Sequence, residues 1–457
     1  MSNEIIYKFT GNPFVDAGIW ALSRWNDKKP EELDKDDLKK AAEDIFDTVY
    51  SHKKWYSSIL HGMVFPNGKV SNPGDFKKPL EERKKKVMEH FNGLIDEITF
   101  LNDQGSCIAC GRRNIQRRFF KSEIPLTGSG KMLNYFSFAS EGADYCSACA
   151  FAVQFSPLLM YKCGDLLLFH SDSKSLMKIW SKKSIHNLKG NALAGCFDEG
   201  YKNVKNAFFH IITDMIVRVN ERAIENEVSI TFYRFKNFNQ GANLDIFHFP
   251  LTVFKFLADI QQDEHSAEWN KVVKRGYQFV DWENVKEEGD YKNKKNLVYN
   301  NLLEGKSIIG FFIDKKNKEA IGGWDLIRNY LVGVLNMDEK RIGVIKEVAD
   351  ELAEYIETAD DTKTLKKLET ASNYKNYRNI LRIIIKKRIE KGIEDPLFTF
   401  DDYVNHLFPE GSLTWRETQD LILFRIYEKL QPWIIEQGKQ DEILTSAEME
   451  EEIQEEE

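Results

Sequence analysis

Two Cys-x-x-Cys pairs, Cys107-Ile108-Ala109-Cys110 and Cys146-Ser147-Ala148-Cys149, constrain this chain more than any other feature of it. Two thiolates three residues apart can grip one ion, and a second such pair completes a tetrahedral site with no open position. A closed four-sulfur site is structural: it staples a region too small to build its own core. Gly105 ahead of the first pair and Gly111 directly after it suit the tight backbone of a metal knuckle. The pairs therefore predict structural zinc on Cys107, Cys110, Cys146 and Cys149. Neither pair sits in a thioredoxin-like strand–helix context, which argues against a redox motif. The remaining two cysteines, Cys163 and Cys196, read as small core residues.

The chain around this module is too long for one core. At 457 residues it predicts two or three domains, and 42% hydrophobic residues supply enough material to fill them. Residues 1–101 read as mostly helical: Pro13 suits the first turn of a helix that offers Phe14, Ile19, Leu22 and Trp25 to a core. The cysteine module spans 102–150. The run 151–170 is strand or buried helix, which periodicity alone does not decide. Residues 203–225 read as a helix. The stretch Val228–Phe235 alternates like a strand, turns over 239–243 and returns from Leu244, a hairpin over 228–249 that closes a mixed domain running to 335. Residues 336–445 show 3- to 4-residue apolar spacing and predict a bundle of four or five helices. The acidic stretch 446–457 reads as a disordered tail. The predicted class is thus α+β: a mixed N-terminal domain carrying a zinc-ribbon-like module, followed by a helical bundle.

The net charge of −8 excludes a free-standing basic DNA coat. Any nucleic acid must be met through local basic patches. No basic leader precedes an apolar run and no membrane-length segment occurs, which predicts a soluble, cytoplasmic chain with no membrane partner. None of the nine histidines sits in a His-x-Glu or His-Glu-x-x-His grouping, and no phosphate-binding glycine loop appears. The chain is read as no enzyme.

Three segments are candidate nucleic-acid contacts. Arg112, Arg113, Arg117 and Arg118 interleave with Phe119 and Phe120, a mixture that attracts phosphates and splayed bases, or forms the solvated face of a zinc ribbon. Asn237, Asn239, Gln240 and Asn243 cluster near the hairpin turn, where amides can read base edges or simply satisfy turn geometry. Lys375, Arg378, Arg382 and Lys386 fall three and four apart, a basic stripe along one helix face. Lysine runs at Lys77, Lys78, Lys84 to Lys86 and 174–189 offer further phosphate contacts or plain solvated surface.

The opening Thr10-Gly11-Asn12-Pro13-Phe14-Val15-Asp16-Ala17-Gly18, the twin cysteine pairs and the segment His170-Ser171-Asp172-Ser173 together resemble the CXXC–CXXC group of large subunits of subtype I-B CRISPR surveillance complexes (Cascade). The likeness is strongest over the N-terminal 240 residues. It implies antiviral defence within a ribonucleoprotein whose partners are a guide RNA, target duplex DNA, the other complex subunits (backbone, guide-end and small) and a separate helicase-nuclease. It implies recognition of a short protospacer-adjacent motif, help in opening the duplex and support for nuclease recruitment, the guide reading the rest of the sequence. It also implies that Met337 can start a separate small helical subunit. Two other readings stay open: a zinc-ribbon nucleic-acid processing enzyme, and an assembly scaffold without direct DNA contact.

Overall fold

Asn12 starts the first helix, α1 (Pro13–Asn26): its side-chain oxygen accepts from the backbone N–H groups of Phe14 and Val15, and Pro13 fills the first turn. The first turn of a helix has orphan N–H groups, so a capping amide and a residue with no N–H both belong there. The computed structural model describes residues 5–99, 105–128, 141–197, 200–217, 228–238, 241–262 and 265–436. The chain divides into two compact units, residues 1–251 and 252–457.

In the first unit, α1 is followed by α2 (Lys35–Ile45), two π-helical segments (Phe46–Tyr50 and Tyr56–Val64) and α3 (Leu80–Asp96). The undecided run after the cysteines contains both kinds of structure. Helix α4 (Ser147–Val153) and a 3-10 turn (Ser156–Leu159) lead into strands β1 (Met160–Cys163) and β2 (Asp165–Ser171). Every residue of β2 after Asp165 is buried, so its apolar run carries no alternation for a sequence to display. Helices α5 (Lys174–Ala194) and α6 (Val204–Ile216) precede the hairpin, β3 (Ile230–Phe238) and β4 (Gly241–His248). The four strands form one antiparallel sheet in sequence order.

Aromatic side chains hold helices to both faces of this sheet. Phe14 of α1 meets Phe235 edge-on at 5.0 Å, and Phe208 of α6 stacks on Phe232 at 4.4 Å. Positions 232 and 235 point to opposite faces because side chains alternate along a strand. The hairpin ladder is longer than its sequence suggests. Asn237 pairs with Ala242 and Lys236 with Asn243, so positions 241–243, which read as turn, belong to β4.

The second unit opens with α7 (Leu251–Gln262), α8 (Ser266–Arg275), α9 (Leu297–Leu303), a two-stranded ribbon (Ile313–Asp314 with Glu319–Ala320) and α10 (Trp324–Gly333). Helices α11 (Glu339–Ala359), α12 (Thr362–Thr370), α13 (Tyr374–Glu390) and α14 (Trp415–Glu436) complete it. The boundary falls at 251/252, where the sequence suggested 335/336. Aromatic packing explains the shift. Phe312 and Trp324 both lie against Phe424 of α14, at 6.5 and 6.1 Å, while Phe256 meets Tyr330 at 5.8 Å. Glu428 of α14 also accepts from the Trp324 backbone N–H at 2.7 Å, capping α10. Segment 252–335 therefore shares one core with the C-terminal helices. The acidic tail lies outside the described residues.

One contact fixes how closely α1 and α4 approach. A Cβ on Gly18 would lie 1.8 Å from the Ala152 carbonyl oxygen, so only glycine fits. Gly18→Ala is expected to destabilise the first unit by at least about 3 kcal/mol, because the backbones must part. Gly93→Ala serves as the control, since nothing lies within 4 Å of its added Cβ on the exposed face of α3. It should stabilise by roughly 0.5–1 kcal/mol through helix propensity. Denaturant midpoints of the two variants measure both effects.

Candidate metal centre and nucleic-acid contacts

The two cysteine pairs reach one point from different backbones. Cys107 begins a tight turn in which the Gly111 N–H donates to its carbonyl at 2.8 Å and its own N–H donates to Arg112 O at 2.9 Å. Gly111 takes φ +74° in this turn, a conformation that favours glycine. Cys146 is the N-cap of α4, and its sulfur accepts from the Cys149 N–H at 3.4 Å. One side chain from each of the four positions then converges, with all sulfur atoms within 4.8 Å of one another. Cys110 Sγ and Cys146 Sγ are 3.6 Å apart. A tetrahedral Zn–S4 centre with bonds near 2.3 Å separates its sulfurs by roughly 3.8 Å, so the donor set fits such an ion. Cys107, Cys146 and Cys149 are buried and Cys110 is exposed.

Without a cation these thiols oppose one another. Hydrogen bonds from Cys110, then Cys146 and Cys149, hold the Cys107 thiol far below the ordinary range. The hydrogen bond to Cys107, reinforced by Cys110 and Cys146, pushes the Cys149 thiol far above it. Four thiolates need a shared positive centre.

Around the sulfurs, polar side chains tie neighbouring segments together. Tyr7 Oη donates to Ala148 O at 3.0 Å, and Asn12 Nδ2 donates to Tyr145 Oη at 3.3 Å. Asn114 donates to the Glu97 and Ile98 carbonyls, and accepts from the Ser147 N–H. The motif at the N-terminus has its own centre in the buried Asp16. Its carboxylate accepts from the Thr10 N–H and hydroxyl at 2.8 Å each and from the Gly11 N–H at 2.9 Å, and His170 Nε2 lies 3.0 Å away. In the His170 segment, Ser173 caps α5 and Asp172 accepts from the Ser229 N–H at 2.8 Å. The three sequence segments thus belong to one connected structure.

The candidate contacts differ in burial and in their partners. Asn237 is a correction: it is buried, its amide donating to Val64 O at 2.7 Å and Lys121 O at 2.9 Å, so it ties the hairpin to the cysteine module from within. Asn239 and Gln240 lie outside the described residues, and Asn243 is exposed. Arg112 donates to the Ile5 and Ile6 carbonyls at 3.0 Å. Arg117 forms a two-pronged pair with Glu123 and stacks over Phe119 at 4.1 Å, and Arg118 pairs with Asp144 at 2.9 Å. Arg113 is exposed. In α13, Lys375, Arg378, Arg382 and Lys386 are all exposed, opposite the buried Tyr377, Leu381 and Ile384. Lys375 and Arg382 have no acidic partner among the described residues, whereas Lys386 lies 3.8 Å from Glu390. The lysine runs are more neutralised: Lys78, Lys84 and Lys86 pair with Glu82, Asp47 and Asp75. Cys163 is buried as expected, but Cys196 is exposed just after the end of α5 and is no core residue.

The arrangement defines a protein built on a closed four-cysteine module, a site with room for a structural ion and none for substrate at the metal. Residues 101–161 match the family model described as CRISPR-associated protein (Cas_CXXC_CXXC). Over this stretch, all four cysteines included, the chain is similar to the CRISPR-associated CXXC–CXXC family. No curated protein and no solved structure matches the chain. No helix among the described residues is long and apolar enough to cross a membrane.

Metal analysis should find one zinc per chain, lost on replacing Cys107 or Cys149 by serine. Removing the ion with a chelator should cost the first unit several kcal/mol in unfolding free energy. A second expectation concerns the neighbouring His90, whose pKa burial depresses from 6.5 to about 4, although Glu123 at 3.8 Å pulls the other way. The unfolded chain binds this proton first, so stability falls as pH drops from 6.5 to about 4, by roughly 1.4 kcal/mol per pH unit. His90→Gln should flatten that slope in acid-titrated unfolding curves.

Proposed function

We propose that this chain is the large subunit of a subtype I-B CRISPR surveillance complex, holding structural zinc and performing no catalysis itself. In this reading it recognises a protospacer-adjacent motif in target duplex DNA, helps open the strands and supports recruitment of a separate helicase-nuclease in antiviral defence. The observation that carries the reading is the coincidence of the CRISPR-associated family match with the four-sulfur cluster. The contact of Asn12 with Tyr145, next to Cys146 in the chain, ties in the N-terminal motif that completes the resemblance.

Within this reading, phosphate contacts fall to the exposed cations, Lys375, Arg378, Arg382 and Lys386 on α13 and Arg113 in the module. Base reading falls to Asn239, Gln240 and Asn243 at the hairpin end. The burial of Asn237 and the pairing of Arg112, Arg117 and Arg118 favour, as a second reading, an assembly scaffold that leaves the DNA to its partners. Internal initiation at Met337 would yield a product of about 14 kDa, within the usual range of domain sizes. Such a product lacks Phe312 and Trp324, so another subunit must cover Phe424.

Co-expression with the genomic neighbours should copurify the chain with a guide RNA; a chain that never joins a ribonucleoprotein contradicts the proposal. In the assembled complex, reversing Lys375, Arg378, Arg382 and Lys386 to glutamate should weaken target binding at least tenfold (about 1.4 kcal/mol). It should also flatten the salt dependence, by about 0.7 in log–log slope for each single-strand phosphate no longer neutralised. Replacing Asn239, Gln240 and Asn243 by alanine separates motif reader from scaffold, since a scaffold keeps its target discrimination. Divalent-metal-dependent cleavage of DNA or RNA by the purified chain would point instead to a processing enzyme.

A further inference from the structure

The outer face of α13 carries more than charge. Lys375, Arg378, Arg382 and Lys386 follow one another at helical spacing, and Ile389 falls in the same line, one turn beyond Lys386. Ile389 is 67% exposed, and Ile383, three residues before Lys386, is 47% exposed. The helix already has its core side in Tyr377, Leu381 and Ile384, so its own packing does not call for isoleucine on the outside. Phosphates alone would match the cations and leave both isoleucines in water. An occupant that satisfies the whole face brings acidic and apolar side chains together.

This chain holds such a segment. Residues 448–457 contain seven glutamates, and among them Met449 and Ile453 stand four apart, the spacing that sets two side chains on one helix face. The segment lies outside the described residues, so its reach depends on where α14 delivers the chain. Tyr377 and Trp415 are 6.0 Å apart, so α13 and α14 start side by side. Arg341 with Glu417 at 2.8 Å and Arg425 with Asp350 at 2.6 Å align α14 along α11. Arg388 with Glu351 at 2.8 Å brings the last turn of α13 to the same helix. Glu436 therefore ends α14 at the end of the unit toward which α13 also runs. The eleven residues 437–447 can span up to about 36–40 Å, more than the roughly 26 Å length of α13.

We propose that the acidic segment 448–457 of this same chain docks on the outer face of α13 and shields its cations until a polyanion displaces it. Glutamates meet Lys375, Arg378, Arg382 and Lys386, while Met449 and Ile453 cover Ile383 and Ile389. The docking stands on α13 and the segment alone; only displacement by a nucleic-acid strand rests on the nucleic-acid-binding reading above.

The test treats the purified full chain with a carbodiimide, which joins a carboxylate to an amine only where the two touch. Lys375 or Lys386 should be linked to glutamates of 448–457, with Lys386 to Glu390, 3.8 Å apart, as the internal control. In a mixture of isotopically light and heavy protein the links should stay within one chain. Links between light and heavy chains would make a second copy the occupant, and no link from either lysine to 448–457 would leave the face uncovered; both overturn the proposal. Ile389→Ser keeps every cation and should cut the yield at least about threefold. An unchanged yield would reduce the contact to diffuse charge attraction and overturn the docking. With heparin as the polyanion probe, deleting 448–457 should strengthen binding roughly five- to tenfold at low salt, as expected when most of the stripe is occupied. The same deletion should change nothing once Lys375, Arg378, Arg382 and Lys386 are glutamate; a gain that persists there would be a net-charge effect and would overturn the shielding. If the links and the heparin gain are found but the guide-loaded complex binds target equally well without the stripe, the docking stands and the strand-binding role of α13 falls.

Discussion

Four cysteine sulfurs held within 4.8 Å of one another are an electrostatic demand as much as a geometric one. A cation in their midst would turn mutual opposition into a cross-link between the Cys107 turn and the N-terminus of α4. Helix α4 is short and would be marginal alone. Anchored by Cys146 and Cys149, it presents the Ala152 carbonyl against which Gly18 lets α1 lie flush. Helix α1 in turn carries Asp16, whose carboxylate organises the preceding loop and reaches His170 on β2. The sheet is thus connected, through one helix, to the cysteine module.

How much of this was legible depended on whether a residue's role was local. The cysteine spacing, the Asn12-Pro13 helix start and the helical periodicity after residue 338 are short-range signals, and each corresponds to an observed element. The fully buried β2 gave no periodicity because both its faces are covered. The boundary was misplaced because Phe312 and Trp324 meet Phe424 across a gap of about a hundred residues, a relation invisible to any window. Asn237 misled for a related reason. An Asn near a turn looks like a turn residue, and only the tertiary fold brings the Val64 and Lys121 carbonyls to its amide. The buried Asn114 and Gln154 were missed altogether. Polar residues amid an apolar module were their only signal, and what distinguishes them is the backbone they bind.

The same distinction bears on the charge. A net −8 is a poor footing for a protein that meets nucleic acid, and many of its cations are already neutralised by acids of the same unit. Exposed ion pairs contribute little stability, about 0–1 kcal/mol each, so their number argues only weakly for a structural purpose. Their larger effect is on the field: paired cations cannot attract a polyanion from a distance. On α13, Lys375 and Arg382 have no acidic partner among the described residues. Under the proposed function, a surface partly screened in this way would bind duplex DNA weakly by itself and would suit a strand delivered to it by an RNA-guided assembly.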